Sequence, residues 1–230
     1  MSSIKLIFHL QLPPVSILPS SGKAGAIGAL LSVVFFVVFM TLGFVQPEYS
    51  HMRNTISSLV LGEYGWIQIL NFIVLSASVV FIGFGLGKKI SGKKYNSTFL
   101  ASLFFSACVI FIALVPTDKT DPREIIAFAK LSATARIHHF FVLGMILVTP
   151  FMLLDVLRKI RKNKEWLSII AFTYYVLIFN FVIGLSWYVL VNFEHITNTK
   201  GLIQKVLAAN VLVWLALVGR KLNQIERNNS

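Results

Sequence analysis

Six long apolar stretches constrain this chain more than any other feature of its sequence. A bilayer hydrocarbon core about 30 Å thick is crossed by a helix of about 20 apolar residues. Each stretch is about that long and has no Lys, Arg, Asp or Glu in its interior, apart from Lys205 near the start of the last. The stretches are Ala24 to Val45, Trp66 to Leu86, Thr98 to Val115, Ile137 to Leu154, Leu167 to Val191 and Leu202 to Val218. The sequence therefore predicts an all-α bundle of six transmembrane helices.

The composition indicates a membrane protein with a single domain. Hydrophobic residues make up 56% of the 230 residues and charged residues only 13%, which is unlike a typical soluble domain. The apolar runs are continuous, whereas strands of a membrane barrel alternate over about 10 residues. We expect an N-terminal tail at 1–23, one membrane domain at 24–218 and a C-terminal tail at 219–230. Three prolines interrupt the first tail, so we interpret it as an irregular or surface-lying segment and not as a cleaved signal peptide.

The distribution of basic residues predicts the orientation of the bundle. Of the 21 Lys and Arg residues, 14 fall in the two tails and in the loops after spans 2 and 4, and 7 fall on the other side. By the positive-inside rule, both termini lie in the cytoplasm of a protein in the cell membrane. The net charge of +12 then reflects topology and attraction to anionic membrane lipids. Because the basic residues are dispersed among short loops, they do not indicate nucleic-acid binding.

The predicted outer side collects most of the acids and histidines. Six of nine acids and four of five histidines fall there. His51 follows span 1, Asp118 follows span 3, His138 and His139 open span 4, and His195 follows span 5. These residue types bind zinc-like ions and act as general acids and bases. We therefore predict a site in which His51, Asp118 and His138 are catalytic, and in which these three with His195 bind a divalent metal such as zinc.

The spacing of these residues does not by itself establish a site. The chain has no H-E-x-x-H motif, and adjacent helix positions point about 100° apart, so at most one of His138 and His139 faces a common centre. The alternative is that the polar groups are interfacial and solvated.

The loop between spans 3 and 4 contains a second predicted helix. Asp121 has the position of an N-cap, with Pro122 at the first helical position and Glu124 three residues after the cap. A short interfacial helix is therefore predicted in this loop, over the segment that begins at Asp121. Since Asp121 has this capping role and Asp118 has none, we favour Asp118 as the functional acid.

Polar residues inside the spans are few and mostly uncharged. Each asparagine there, including Asn71 and Asn180, is expected to hydrogen-bond a neighbouring helix. Ion-coupled transporters usually carry an intramembrane carboxylate or arginine, and the six stretches contain neither. A transporter is therefore less favoured than the two other functions considered, an enzyme and a noncatalytic membrane protein.

Four segments resemble the prokaryotic six-span membrane family known as domain of unknown function 998. They are "YSHMRNTISSLVLGEYGWIQILNFIV", "LVPTDKTD", "ARIHHFFVLGMIL" and "KGLIQKVLAANVLVW". The resemblance covers residues 30 to 218 and implies functional roles for Ser57, Pro116 with Asp118, His138 or His139, and Gly201 with Lys205. It implies no activity. On this basis Ser57 and Lys205 are expected to bind or orient a substrate.

Two functions are kept open beside the transporter. The first is an enzyme whose outer site binds a metal or acts on a lipid-like substrate. The second is a noncatalytic membrane protein that binds a lipid or small molecule, or that serves as a partner subunit. Convergence of the predicted side chains favours the enzyme. Within the second function, a polar cavity open between spans 3, 4 and 6 favours a binding protein over a partner subunit.

Overall fold

Six α-helices make up most of the part of the chain that the structure describes. The computed structural model describes residues 19–92, 96–119, 128–192 and 198–229. The helices are α1 (Ser21–Val45), α2 (Gly65–Ser91), α3 (Ser97–Leu114), α4 (Ala133–Ile160), α5 (Leu167–Asn192) and α6 (Lys200–Asn228). All six are long and apolar enough to cross a membrane, and the described ranges contain no β-strand. The predicted fold class is therefore confirmed, and the chain is a multi-pass membrane protein.

The helix ends differ from the predicted spans because capping and polar residues extend the helices beyond the apolar stretches. Helix α4 begins at Ala133 and not at Ile137, because the Ser132 hydroxyl accepts a hydrogen bond from the amide of Ala135 at 3.1 Å. Helix α6 continues without a break to Asn228, through most of the predicted C-terminal tail. Helix α2 ends at Ser91, and its C-cap Gly92 adopts the left-handed conformation at φ 66°.

The predicted interfacial helix lies mostly outside the described residues. Asp121 and the positions that follow it up to 127 belong to that part of the chain. The described remainder is a short 3-10 turn, Phe128–Lys130.

The helices pack in the order in which they occur in the chain. Each contacts the next, and α6 returns to contact α1, which closes the bundle. The interior is filled by large apolar side chains such as Phe39, Trp214 and Leu215. Apolar side chains also point outward, among them Phe140 and Phe151, which are 68% and 71% exposed. Such an apolar exterior is what a bilayer solvates.

Small and polar residues bring the helices close together. A Cβ on Gly25 of α1 would lie 2.6 Å from the carbonyl oxygen of Gly219 of α6, so the two backbones meet where glycine leaves space. The Asn71 amide donates to the carbonyl of Phe35 in α1 at 3.1 Å, as predicted. The Asn180 amide instead donates to Val176 of its own helix at 3.0 Å, so the interhelical prediction for Asn180 was wrong.

Candidate functional site

The loop between α1 and α2, residues 46–64, forms one side of the candidate site and is called loop 1. The hydroxyl of Tyr49 reaches the carbonyl oxygens of Asn54 and Thr55, at 3.3 and 3.1 Å. Burial raises the pKa of Tyr49, so the phenol keeps its proton and remains a donor. Loop 1 contains a 3-10 turn, Ser57–Leu61, which fixes the position of Ser57.

The first turn of α6 binds loop 1 through backbone groups. The amides of Gly201 and Leu202 both donate to the carbonyl of Met52, at 3.0 and 3.1 Å. These are helix N-terminal amides, which have no acceptor within their own helix. A Cβ at position 201 would lie 2.2 Å from the carbonyl oxygen of Asn54. Glycine at position 201 therefore permits the close approach.

Lys205 extends the same contact with its side chain. It is only 6% exposed, and its ammonium nitrogen donates to the carbonyls of Asn54 at 2.6 Å, His51 at 3.0 Å and Gly201 at 3.4 Å. The nitrogen also lies 5.0 Å from the centre of the Tyr49 ring. An ammonium group has three donors, so these carbonyls account for all of them. Lys205 thus anchors loop 1 to α6.

The ring of His51 packs between loop 1 and the last turn of α1. Its centre lies 4.4 Å from that of Phe44 and 5.5 Å from that of Tyr49. Both ring nitrogens are shielded from solvent and have no hydrogen-bond partner among the described residues. Burial, and to a lesser extent the positive charge of Lys205, hold the pKa of His51 below its usual value. The ring is therefore kept neutral.

His138 connects three separate parts of the chain. Its side chain is only 3% exposed. The Nδ1 atom lies 2.7 Å from the carbonyl oxygen of Val115, just after α3, and the Nε2 atom lies 3.2 Å from Oγ of Ser57 in loop 1. Because a carbonyl can only accept, Nδ1 carries the proton, and Nε2 of the neutral ring accepts from the Ser57 hydroxyl. Thr55 Oγ1 lies 3.3 Å from Ser57 Oγ. Because Ser57 donates its proton to His138, the Thr55 hydroxyl is the donor in this second bond.

Asp118 binds the start of α4. Its carboxylate accepts hydrogen bonds from the backbone amide of Ser132 at 2.9 Å and from the Ser132 hydroxyl at 2.5 Å. Both bonds hold the pKa of Asp118 below its usual value. Asp118 is not itself an N-cap, since Ser132 has that position in α4, but its carboxylate binds the N-cap residue, and its choice as the functional acid stays a prediction.

Two cavities adjoin this cluster. A polar cavity of about 250 Å³ lies between loop 1, the start of α4, the end of α5 and the start of α6. Its lining includes Ser57, Asp118 and His138. An apolar cavity of about 130 Å³ lies deeper in the bundle, and its lining includes Phe72 and Phe105. The residues common to both linings are Ser57, Val142, Trp187 and Gln204. The two cavities therefore meet at the level of Ser57.

The predicted site residues divide into two groups. Ser57, Asp118 and His138 line the polar cavity, whereas His51 and Lys205 line neither cavity. His195 lies outside the described residues. Within the described ranges no group of three His, Cys, Asp or Glu side chains is arranged to hold a metal ion. The metal site and the individual catalytic roles stay predictions.

Gln204 was missed by the sequence analysis. Its side-chain oxygen accepts a hydrogen bond from the backbone amide of Ile56 at 2.7 Å, which leaves its amide nitrogen as a donor beside both cavities. The only sequence signal was a polar residue next to Lys205 in an otherwise apolar helix. The carbonyl of Val115 could not be found either, since a backbone group leaves no sequence pattern.

Comparisons with known proteins identify a family and no activity. No curated protein and no solved structure matches the chain. One family model, described as a protein of unknown function (DUF998), matches residues 28–221. This range includes the whole of α2 to α5, most of α1 and α6, loop 1 and both cavities. The chain therefore belongs to the DUF998 family.

Proposed function

We propose that this protein binds an amphipathic, lipid-like molecule at the predicted outer end of its bundle. The observation that carries the proposal is the junction of a polar cavity with an apolar one at Ser57, Val142, Trp187 and Gln204. A lipid-like molecule would fit both cavities, with its headgroup in the polar cavity and its hydrocarbon chain in the apolar one. Binding sites of this kind combine an apolar lining with a few placed polar groups.

The polar cavity suits a headgroup with charges or several hydrogen-bonding groups. Its lining includes the acids Glu48 and Asp118 and the cations Lys119 and Lys200. Charges of both signs favour a zwitterionic or strongly polar group over a simple anion. Membrane lipids have such headgroups and are the nearest source of ligand for a protein that we place in the cell membrane with both termini in the cytoplasm.

The proposal does not depend on a metal. Both ring nitrogens of His138 and both oxygens of Asp118 already bond protein groups. A zinc ion on Nε2 of His138 would have to displace the Ser57 hydroxyl, whereas each Asp118 oxygen keeps a second lone pair. The predicted metal ligands His51 and His195 have no role in the proposal, because His51 lines neither cavity and His195 lies outside the described residues.

Gly184 offers a direct test of the apolar cavity. It is a buried residue of α5 in the lining of that cavity, and a Cβ added there would meet only Ile146 and Leu207, both at 3.9 Å. Gly184→Leu would fill the space, whereas Gly184→Ala would leave most of it. The measurement is binding of a fluorescent ether-linked phospholipid to purified protein in nanodiscs.

We expect at least about tenfold weaker binding for Gly184→Leu, because each buried methylene of the displaced chain contributes about 0.8 kcal/mol. Gly184→Ala should bind as the original protein does. Equal binding by the Leu variant and the original protein would show that the chain does not occupy this cavity and would overturn the proposal.

A further inference from the structure

We propose that Ser57 and His138 form a nucleophile and general-base pair that cleaves or transfers the acyl group of a long-chain ester. This inference rests on the proposed binding of a lipid-like molecule, and it names the chemistry done on that molecule. Its basis is the 3.2 Å contact between Ser57 Oγ and His138 Nε2 at the junction of the two cavities.

The tautomer of His138 is the one that a general base requires. Its Nδ1 proton is held by the carbonyl of Val115 at 2.7 Å, which fixes both the ring orientation and the position of the free lone pair on Nε2. A nucleophile hydrogen-bonded to a base that a third group orients is the recurring arrangement of covalent acyl-transfer sites. Here a backbone carbonyl takes the place that a carboxylate holds in the familiar triads.

The position of Ser57 suits an ester at the border of polar and apolar surroundings. In a long-chain ester the carbonyl carbon joins the hydrocarbon chain to the oxygen of the alcohol part. With the chain in the apolar cavity and the alcohol part in the polar one, that carbon lies at the level of Ser57. Gln204 lines both cavities, and its amide nitrogen is the donor that we assign to the oxyanion.

The proposed reaction needs only the ester, Ser57, His138 and an acceptor that is water or an alcohol. Ser57 Oγ attacks the ester carbonyl carbon while its proton passes to His138 Nε2. The tetrahedral intermediate collapses, the bond to the alcohol oxygen breaks, and Nε2 returns the proton to the leaving alcohol. Water or a second alcohol then attacks the acyl group on Ser57, gives its proton to Nε2, and releases an acid or a new ester as the proton returns to Ser57 Oγ.

The test uses a reactive and an unreactive probe on the full-length protein in nanodiscs. Dodecyl fluorophosphonate bonds covalently to an activated serine as its P–F bond breaks, and mass spectrometry locates the modified residue. The ether-linked phospholipid has no carbonyl to attack, so it reports binding alone. The variants are Ser57→Ala, His138→Gln and the control Ser58→Ala, whose hydroxyl donates to Thr55 at 2.8 Å and not to His138.

We expect labelling at Ser57 in the original protein and in Ser58→Ala, none in Ser57→Ala, and labelling at least about 100-fold slower in His138→Gln. Retained binding of the ether lipid by Ser57→Ala and His138→Gln shows that both variants are folded. If the ether lipid binds the original protein but Ser57 is not labelled, or if Ser57→Ala or His138→Gln is labelled at the original rate, the catalytic pair is overturned and the proposed binding stands. If the ether lipid does not bind the original protein, the proposed function is overturned, and this inference with it.

Discussion

The ammonium nitrogen of Lys205 lies 2.6 Å from the carbonyl oxygen of Asn54, and this bond joins the start of α6 to loop 1. Loop 1 carries Ser57, so the position of that hydroxyl depends on the attachment. The bond also explains how a lysine that is only 6% exposed can remain in the bundle. Buried charged groups are tolerated when they are hydrogen-bonded.

Replacing Lys205 by methionine should destabilise the protein. Methionine keeps a long unbranched chain but removes the donors, so the carbonyl of His51 loses this partner and that of Asn54 keeps only the longer bond from Tyr49. Hydrogen bonds to charged groups contribute about 1.5–3 kcal/mol, and we expect a loss of at least about 2 kcal/mol. The measurement is the thermal unfolding midpoint in detergent.

Lys162→Met is the matched control, because Lys162 is exposed and makes no described hydrogen bond. Its unfolding midpoint should equal that of the original protein. If Lys205 served only to bind a substrate, Lys205→Met would leave the midpoint unchanged as well, and the anchoring role would be wrong.

The fold could be predicted from the sequence because bilayer thickness and helix rise set the length of each apolar stretch. The helix ends could not be predicted as closely. Helix α4 starts early because Ser132 caps it, and α6 continues to Asn228 through polar residues. Hydropathy identifies the part of a helix that lies within the membrane, so it does not detect the polar extensions of that helix.

The candidate site was predicted only in part. His138 and Ser57 do meet, and Asp118 lines the same cavity. Lys205 and His51 do not join them, because each is held within the contact of loop 1 with its neighbours. Sequence spacing locates a residue at an end of the bundle, but side-chain direction and backbone partners decide which residues share a cavity.

Asp118→Ala should destabilise the start of α4. The change removes two hydrogen bonds to Ser132, and losses at helix N-termini are on the order of 1 kcal/mol. Because the pKa of Asp118 is lower in the folded protein, its contribution is present above about pH 4 and is lost as the pH falls through the folded-state pKa. Thermal unfolding near neutral pH measures the change.

The control is Glu63→Ala, at an exposed acid without a described hydrogen bond, which should have no effect. An equal loss of stability in both variants would contradict the role assigned to Asp118.

His51 should make the stability of the protein depend on pH. Its pKa is lowered in the folded protein, so the unfolded chain binds a proton where the folded chain does not. Stability is therefore full above about pH 6.5 and falls as the pH decreases below that value. His51→Phe keeps a ring beside Phe44 and removes the titrating group. The unfolding midpoint of this variant should fall less between about pH 7.5 and about pH 5.5; parallel curves for the two proteins would show that His51 does not contribute.

The same substitution at two glycines should have opposite effects. A Cβ at Gly219 would lie 2.3 Å from the carbonyl oxygen of Gly25, so Gly219→Ala must push α6 away from α1, at a cost of about 1–3 kcal/mol. At Gly184 the nearest atoms are 3.9 Å away, and alanine gains up to about 1 kcal/mol in helix propensity. Unfolding midpoints should fall for the first variant and stay or rise for the second. A fall of equal size in both would remove the argument for close helix contact.

The proposed orientation in the membrane can be tested with single cysteines. The chain has one cysteine, Cys108, which is buried, so Cys108→Ala gives a background without thiols. Glu63, in loop 1, and Lys162, after α4, are both exposed and lie at opposite ends of the bundle. Fourteen of the 21 basic residues fall on the side of Lys162, so the positive-inside rule places that end in the cytoplasm.

In the Cys108→Ala background a membrane-impermeant maleimide should label Glu63→Cys in intact cells, and Lys162→Cys only after the membrane is opened. The reverse pattern would place the cavities on the cytoplasmic side, and the ligand would then have to come from the inner leaflet or the cytoplasm.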